Sequence, residues 1–272
     1  MSFFGRNRAP RARRSPTPSR KDSSNPPSEP PSPGGANNGS NGNGLGGGSK
    51  PLYLCSPFAD AALVKGNFKT IVTLPKYVDI MEWVAVNMFD FYTNLNEFYG
   101  VINETCTQHT CPTMSAGPTL NYIWTTSGPG GRQLTLPAPT YIDYVMTSIQ
   151  NLIDDENVFP SKSSTFPVTS AQVLLPNINH FADQSFHPSF PATIRTVYRQ
   201  LLRVFAHVYH AHYQQILHLR SEPHFNSLFA HFLAFGREYE LLEVRDIKGE
   251  PVAPVGVGLL WERWKDAGIL EG

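Results

Sequence analysis

The sequence predicts a mostly α protein, a helical bundle with one long irregular excursion. Apolar residues return at helical spacing in three long stretches, Pro and Gly clusters fall between those stretches, and strand pairing is expected only in a small hairpin around Gly128 to Gly131.

In chain order, Leu52 to Val64 (LYLCSPFADAALV) reads as an arm or short helix on the domain surface, and Val72 to Tyr77 as extended chain. Asp79 with Glu82 three residues later resembles a capping box. Val84, Met88, Phe91, Leu95 and Phe98 then make one buried stripe, stopped at Gly100 or Asn103,. Residues 101–139 are loop-rich. Thr140 caps a helix whose inward residues are Ile142, Val145, Met146, Ile149 and Ile153, ended by Asp154, Asp155 and Glu156,. Phe159 to Pro191, broken by four prolines, is expected to be irregular. Pro191 opens the longest helix, on which Ile194, Val197, Tyr198, Leu201, Phe205 and Val208 face inward to about Leu219,. A further helix around Asn226 to Glu240 turns Leu228, Phe232 and Phe235 inward, and a short one near Leu259 to Ala267 closes the chain.

Of the 272 residues, 1–50 are a basic tail rich in Pro, Ser, Gly, Asn and Arg, with too little apolar surface to enter a core,. Residues 51–272 form one domain. The formal net charge of zero hides an asymmetry. The tail holds eight Lys/Arg against Asp22 and Glu29, so the domain carries the opposite excess. That excess lies in residues 51–160, where Asp60, Asp79, Glu82, Asp90, Glu97, Glu104, Asp143, Asp154, Asp155 and Glu156 face only Lys65, Lys69, Lys76 and Arg132. An acidic half-domain disfavours nucleic acid and favours a basic protein segment. In the tail, Arg11 to Pro16 reads as a phosphorylation site, as an import-like patch, or simply as solvated charge,.

Three cysteines make no disulfide framework, and Met1 to Pro10 contains no apolar core of a signal peptide,. The expected setting is the reducing cytosol or nucleus, with no membrane span. Cys106 and Cys111 have four residues between them, and His207, His210 and His212 follow about a hundred residues later. Structural zinc sites pair such cysteines with two histidines that have three to five residues between them. His207 with His212 fits best, His207 with His210 less well, and two buried thiols beside half-buried histidines is the plain alternative. Four protein ligands make a structural ion rather than a catalytic one.

LVKGNFKTIVTLPKYVDIMEW, NETCTQHTCPTMSAGP, PTYIDYVMTSIQNLIDDENVFPSK and LLRVFAHVYHAHY together resemble the Mob/phocein family of adaptors that activate NDR/LATS-type serine/threonine kinases. The resemblance covers about residues 51–245. LYLCSPF and HFNSLFAHFLAFGREYELL are similar to its fungal Mob-two branch, which implies a kinase partner of polarity and morphogenesis signalling and presence at sites of polarised growth. It also implies a four-helix bundle and zinc on Cys106, Cys111, His207 and His212. It puts the kinase's basic N-terminal regulatory region on Glu82, Trp83 and Val86, with Asp79 and Asp90 on the same helix and Phe159 and Pro160 beside it. On periodicity alone Trp83, about 100° round the helix from Val84, belongs to the core.

Phosphopeptide binders of the family use three basic residues before the metal histidines. The matching positions are Arg199, Gln200 and Arg203, so the middle charge is missing,. The plain alternative is a solvated helix face. Two further departures, residues 168–187, which read as an insertion, and the segment GEPVAPVGVGLLWERWKDAG, carry no assigned role; His180 and His187 are expected at the surface. Three functions compete: a non-catalytic co-activator, a zinc hydrolase using a histidine or Glu104 as base with only three protein ligands, and a passive scaffold.

Overall fold

A computed structural model describes residues 50–64, 67–126, 130–160 and 186–270. The tail, with Arg11 to Pro16, and all of 168–187 except Phe186 and His187 lie outside the described residues, as does His180. The described chain is mostly helical: α1 (Phe68–Val72), α2 (Ile80–Ile102), α3 (Ala138–Ile153), α4 (Phe190–His218), α5 (Glu222–Glu238), α6 (Val244–Lys248) and α7 (Gly258–Asp266).

Helix α2 begins where the sequence placed its cap. The Asp79 carboxylate accepts the backbone N–H of Met81 at 2.7 Å and of Glu82 at 3.2 Å, satisfying donors that a first turn leaves without helical partners. Val84, Met88, Phe91 and Leu95 are buried as the stripe requires, while its last member, Phe98, is half-buried. The helix runs through Gly100 to an Asn103 cap. Helix α3 starts at Ala138, two residues before the expected Thr140, with Pro139 in its first turn, where the missing N–H costs nothing. Helix α5 likewise begins four residues earlier than its apolar pattern suggests, at Glu222 with Pro223 in the first turn. Its Phe225 and Phe229 are buried with Phe232 and Phe235, whereas Leu228 is only half-buried. The inward face is therefore aromatic and rotated from the one predicted.

Ring contacts set the helix directions. Phe91 of α2 meets Tyr198 of α4 at 5.9 Å and Phe232 of α5 at 5.4 Å. Phe98 meets Phe225 at 5.0 Å, while Trp83 meets Phe235 at 6.2 Å, so α5 runs antiparallel to α2. Tyr198 stacks flat on Phe232 at 4.3 Å, and its hydroxyl donates to the Phe232 carbonyl at 3.2 Å. Tyr92 of α2 reaches Gln150 of α3 at 3.1 Å, and Tyr141 of α3 reaches Arg203 of α4 at 2.6 Å. The end of α3 thus lies beside the middle of α2. Phe159 packs on Phe190. The segment just beyond α3 thus meets the start of α4.

Among the described residues, strand pairing is limited to two-residue ribbons: β1 (Met114–Ser115) with β2 (Asn121–Tyr122), β3 (Trp124–Thr125) with β4 (Gln133–Leu134), and β5 (Gly249–Glu250) with β6 (Ala253–Pro254). The second is the expected hairpin, its tip at 127–129 outside the described residues. Gly249 turns the third at φ 71°, where an added Cβ would lie 2.7 Å from the Ala253 carbonyl, so the position needs glycine.

The terminal segment has a structural task that the sequence left unread. Trp261 and Trp264 of α7 are buried. The Trp264 indole donates to the Ala59 carbonyl at 2.8 Å, and the Arg263 guanidinium grips Asp60 at 2.7 and 2.8 Å and the Leu54 carbonyl at 3.1 Å. The arm, two 3-10 turns at Leu52–Leu54 and Phe58–Asp60, is clamped by the end of the chain. Asn226 holds it from α5, donating to the carbonyls of Phe58 at 2.8 Å and Ala61 at 2.7 Å.

His231 is the polar misfit in this aromatic packing. Its ring meets Phe91 at 4.9 Å, Phe235 at 6.3 Å and Phe68 at 6.4 Å, and its buried Nε2 has no hydrogen-bond partner among the described residues. Desolvation pushes its pKa down to about 4, below the ordinary value of about 6.5. The native state therefore refuses a proton that the unfolded chain accepts between those values, so this contribution is complete above pH 6.5 and lost as pH falls toward 4. Between pH 7.5 and 5 the wild type is expected to lose about 1–2 kcal/mol that a His231→Phe variant keeps. Urea unfolding of both proteins at both pH values measures it; parallel losses would contradict it.

Candidate functional site

The metal donors come from two places that only folding joins. Cys106 follows the end of α2, and Cys111 precedes β1; Thr110 closes the loop between them, its Oγ1 donating to the Thr105 carbonyl at 2.7 Å. His207 and His212 are five apart on α4, and all four residues are buried. One donor atom from each lies within 4.8 Å of every other. Cys106 Sγ stands 3.6 Å from His207 Nε2, and Cys111 Sγ stands 3.4 Å from His212 Nε2. A tetrahedral ion with sulfur at about 2.3 Å and nitrogen at about 2.0 Å has sulfur–nitrogen edges of roughly 3.5 Å. The residues fit a metal ion. His210, the weaker candidate by spacing, is exposed.

Neighbours outside the four donors orient them. His207 Nδ1 stands 2.7 Å from the Ser115 carbonyl, which can only accept, so the ring's proton sits on Nδ1 and the Nε2 lone pair faces the cysteines,. The Thr105 hydroxyl donates to the Ile102 carbonyl at 2.7 Å, so it accepts from His212 Nδ1 at 3.4 Å and leaves that Nε2 free as well. Tyr99 donates to Cys106 Sγ. None of these three was legible in the sequence: a backbone carbonyl has no motif, and Thr105 and Tyr99 acquire meaning only once the loop folds back on α4.

The sulfurs argue for a cation as well. A hydrogen bond from Cys106, with His207 and His212 nearby, holds the Cys111 thiol far below its ordinary range, while the same bond and burial push Cys106 far above it. A bound cation is what makes two adjacent buried thiolates stable.

The residues expected to meet a partner lie at the opposite end of α2, roughly 30 Å from the metal donors by helix rise. Val86 is 56% exposed, and Phe89, which the sequence did not single out, is 46% exposed. Glu82 is half-buried and Asp90 exposed. Desolvation pushes the Asp90 carboxyl above its ordinary value, an effect that a cation beside it would reverse. Trp83 is half-buried, neither sealed in the core nor free of it. Its indole N–H and the Tyr239 hydroxyl both donate to the Val72 carbonyl, at 3.4 and 2.7 Å. Phe159 and Pro160 are half-buried just beyond α3, after Asp154, Asp155 and Glu156.

Arg199 and Arg203 are not a solvated helix face. Arg199 Nε lies 3.3 Å from Asp246 and its Nη2 3.8 Å from Glu243. Arg203 donates to the Tyr141 hydroxyl at 2.6 Å and sits over the Tyr122 ring at 5.0 Å. Periodicity places a basic residue on a face, but it does not show the carboxylates of Glu243 and Asp246 that arrive there from far downstream at the start of α6. His187 is exposed, as expected, and pairs with Ser189 at 2.7 Å.

Four buried sulfur and nitrogen donors joining a loop to the longest helix define the class, a helical bundle with a buried donor cluster that could hold a metal ion. The Mob1/phocein family model matches residues 60–250, and the chain belongs to that family. It is 43% identical over 205 residues to the "CBK1 kinase activator protein MOB2" of Candida albicans, covering 75% of this chain and 58% of that protein. It is 46% identical over 195 residues to the "Maintenance of ploidy protein mob2" of Schizosaccharomyces pombe, covering 72% and 71%. It is 42% identical over 204 residues to the "CBK1 kinase activator protein MOB2" of Saccharomyces cerevisiae, covering 75% and 63%. The chain thus spans less than two thirds of two of these relatives. Two of these relatives are named as kinase activators.

Proposed function

We propose that the chain is a non-catalytic co-activator that binds the basic N-terminal regulatory region of an NDR/LATS-type kinase on an acidic face of α2. The observation that carries this is the juxtaposition there of carboxylates with exposed and half-buried apolar side chains. Asp79 caps α2, Glu82 and Asp90 share it with Trp83 and Val86, and the same reading puts Phe159 and Pro160 beside them. Aromatic anchors supply most of the affinity of such interfaces, and an acidic rim steers a basic partner. Two relatives named as kinase activators support the same reading. Binding that favours the kinase's active arrangement is activation by population shift. A kinase N-terminal segment is expected to co-purify with the metal-loaded chain and to be lost on Glu82→Lys with Trp83→Ala; retention by that variant would contradict the assignment.

The ion in this reading is structural zinc, suited to two thiolates and two imidazoles in a closed tetrahedron. A hydrolase would need three protein ligands and a place for water, whereas the four donors fill the coordination sphere. Arg199 and Arg203 are already engaged by Asp246, Glu243 and Tyr141, and with Gln200 between them they favour a framework role over phosphopeptide capture. Free Cys55, Cys106 and Cys111 suit a reducing compartment,, so cytoplasm, nucleus and sites of polarised growth are proposed; a tagged chain found only in secretory vesicles would contradict this. Among the described residues no helix is long and apolar enough to cross a membrane.

A further inference from the structure

Helix α3 buries Tyr141, Ile142, Val145, Met146 and Ile149, and its opposite side is not an ordinary solvated face. A solvated helix face commonly carries charges of both signs, but α3 has no Lys or Arg. It presents instead Tyr144, 45% exposed, then Thr147, Asn151 and Leu152, with Asp143 toward one end and Asp155 just past the other. Trp124 of β3 stands along this side, edge-on to Tyr144 at 5.5 Å and to Tyr141 at 5.2 Å. Between ribbon and helix lies an open groove of about 590 Å³, and none of its lining residues is basic.

We propose that this groove is a second docking site, distinct from the α2 face, for a short extended segment of a partner protein that carries a basic residue at each end and an apolar residue between. The charges choose the occupant. The twelve residues from Asp143 to Asp155 correspond to roughly 18 Å of helix, the reach of about five or six extended residues. Backbone and side-chain donors of Asn157 hold the Asp155 carboxyl below its ordinary value, so a negative charge stands at that end. Trp124 and Tyr144 offer ring faces to an aliphatic or aromatic anchor, and to a guanidinium by cation–π attraction. A phosphorylated segment or an anionic membrane would meet only carboxylates and is excluded by the same charges.

The test uses a fluorescein-labelled Arg-Gly-Leu-Phe-Gly-Arg peptide and its counterpart with glutamate at both ends, titrated by fluorescence anisotropy against the metal-loaded full chain. The basic peptide is expected to bind saturably and more weakly as salt rises, and the acidic one not to bind. Asp143→Lys with Asp155→Lys is expected to weaken binding at least tenfold. Tyr144→Ala is expected to weaken it several-fold at an unchanged melting temperature, because that side chain is nearly half exposed. Glu82→Lys with Trp83→Ala should leave the peptide bound whatever it does to the kinase segment, which separates this site from the α2 face. Equal binding of the two peptides, no saturable binding, or loss on the α2 variant but not on the α3 variant would each overturn the proposal.

Discussion

Replacing Cys106 with Ser is expected to lower the melting temperature of the metal-loaded chain by about 10 °C. Serine at that position leaves three good donors, and a buried site with one poor ligand holds its ion far more weakly. Structural zinc contributes on the order of 10 kcal/mol in peptides that have no other core. Here an aromatic core persists without it, so the expected loss is nearer 3–5 kcal/mol, at about 2–4 °C per kcal/mol for a domain of this size. What is lost is the staple between the loop after α2 and the middle of α4, together with the His207 bond to Ser115 and the His212 bond to Thr105 that depend on the same ring positions. A chelator should produce the same drop in the wild type and little further change in the variant. Scanning calorimetry with and without chelator distinguishes these cases, and a metal-free chain melting where the loaded one does would remove the ion's structural role.

Glu82→Lys with Trp83→Ala is expected to weaken binding of a kinase N-terminal segment by at least a hundredfold. Truncating a central aromatic anchor commonly costs 2 kcal/mol or more, and reversing a rim charge against a basic partner adds roughly another; about 3 kcal/mol is more than a hundredfold. Trp83 also packs on Phe235 and donates to Val72, so its removal affects the fold as well as the surface. Two single variants separate these effects. Glu82→Lys alone should slow association and flatten its salt dependence with little change in melting. Val86→Asp, at a side chain 56% exposed, should weaken binding at nearly unchanged stability. Cys106→Ser, roughly 30 Å along the helix, should leave affinity intact at temperatures where the variant is folded.

The metal donors were legible because coordination chemistry constrains residue type and spacing together: two cysteines and two histidines at these intervals have few other uses, and the resemblance named the same four. The bundle was legible through helical periodicity, most clearly in α2, where cap and stripe agree with the structure. Helix starts were read less well at Pro139 and Pro223, because proline in a first turn looks like a break until one sees that its missing N–H had no helical partner. The rotated face of α5 escaped for a related reason. Phe225 and Phe229 are buried by α4, and only the packed neighbour decides which of many aromatic residues faces inward. The partners of Arg199, the clamp of Arg263 on Asp60 and the orienting carbonyl of Ser115 all join residues far apart in sequence. Such pairings are properties of the assembled chain, and no local pattern announces them.

The most direct measurement of the central claim is phosphotransfer by a purified NDR/LATS-type kinase with its N-terminal region intact, assayed against added metal-loaded chain, wild type or Val86→Asp with Glu82→Lys. The account predicts that the wild type raises kinase activity saturably and that the variant, folded to the same melting temperature, raises it little at the same concentration. Equal stimulation by both proteins, or tight binding of the wild type without any rise in activity, would contradict it.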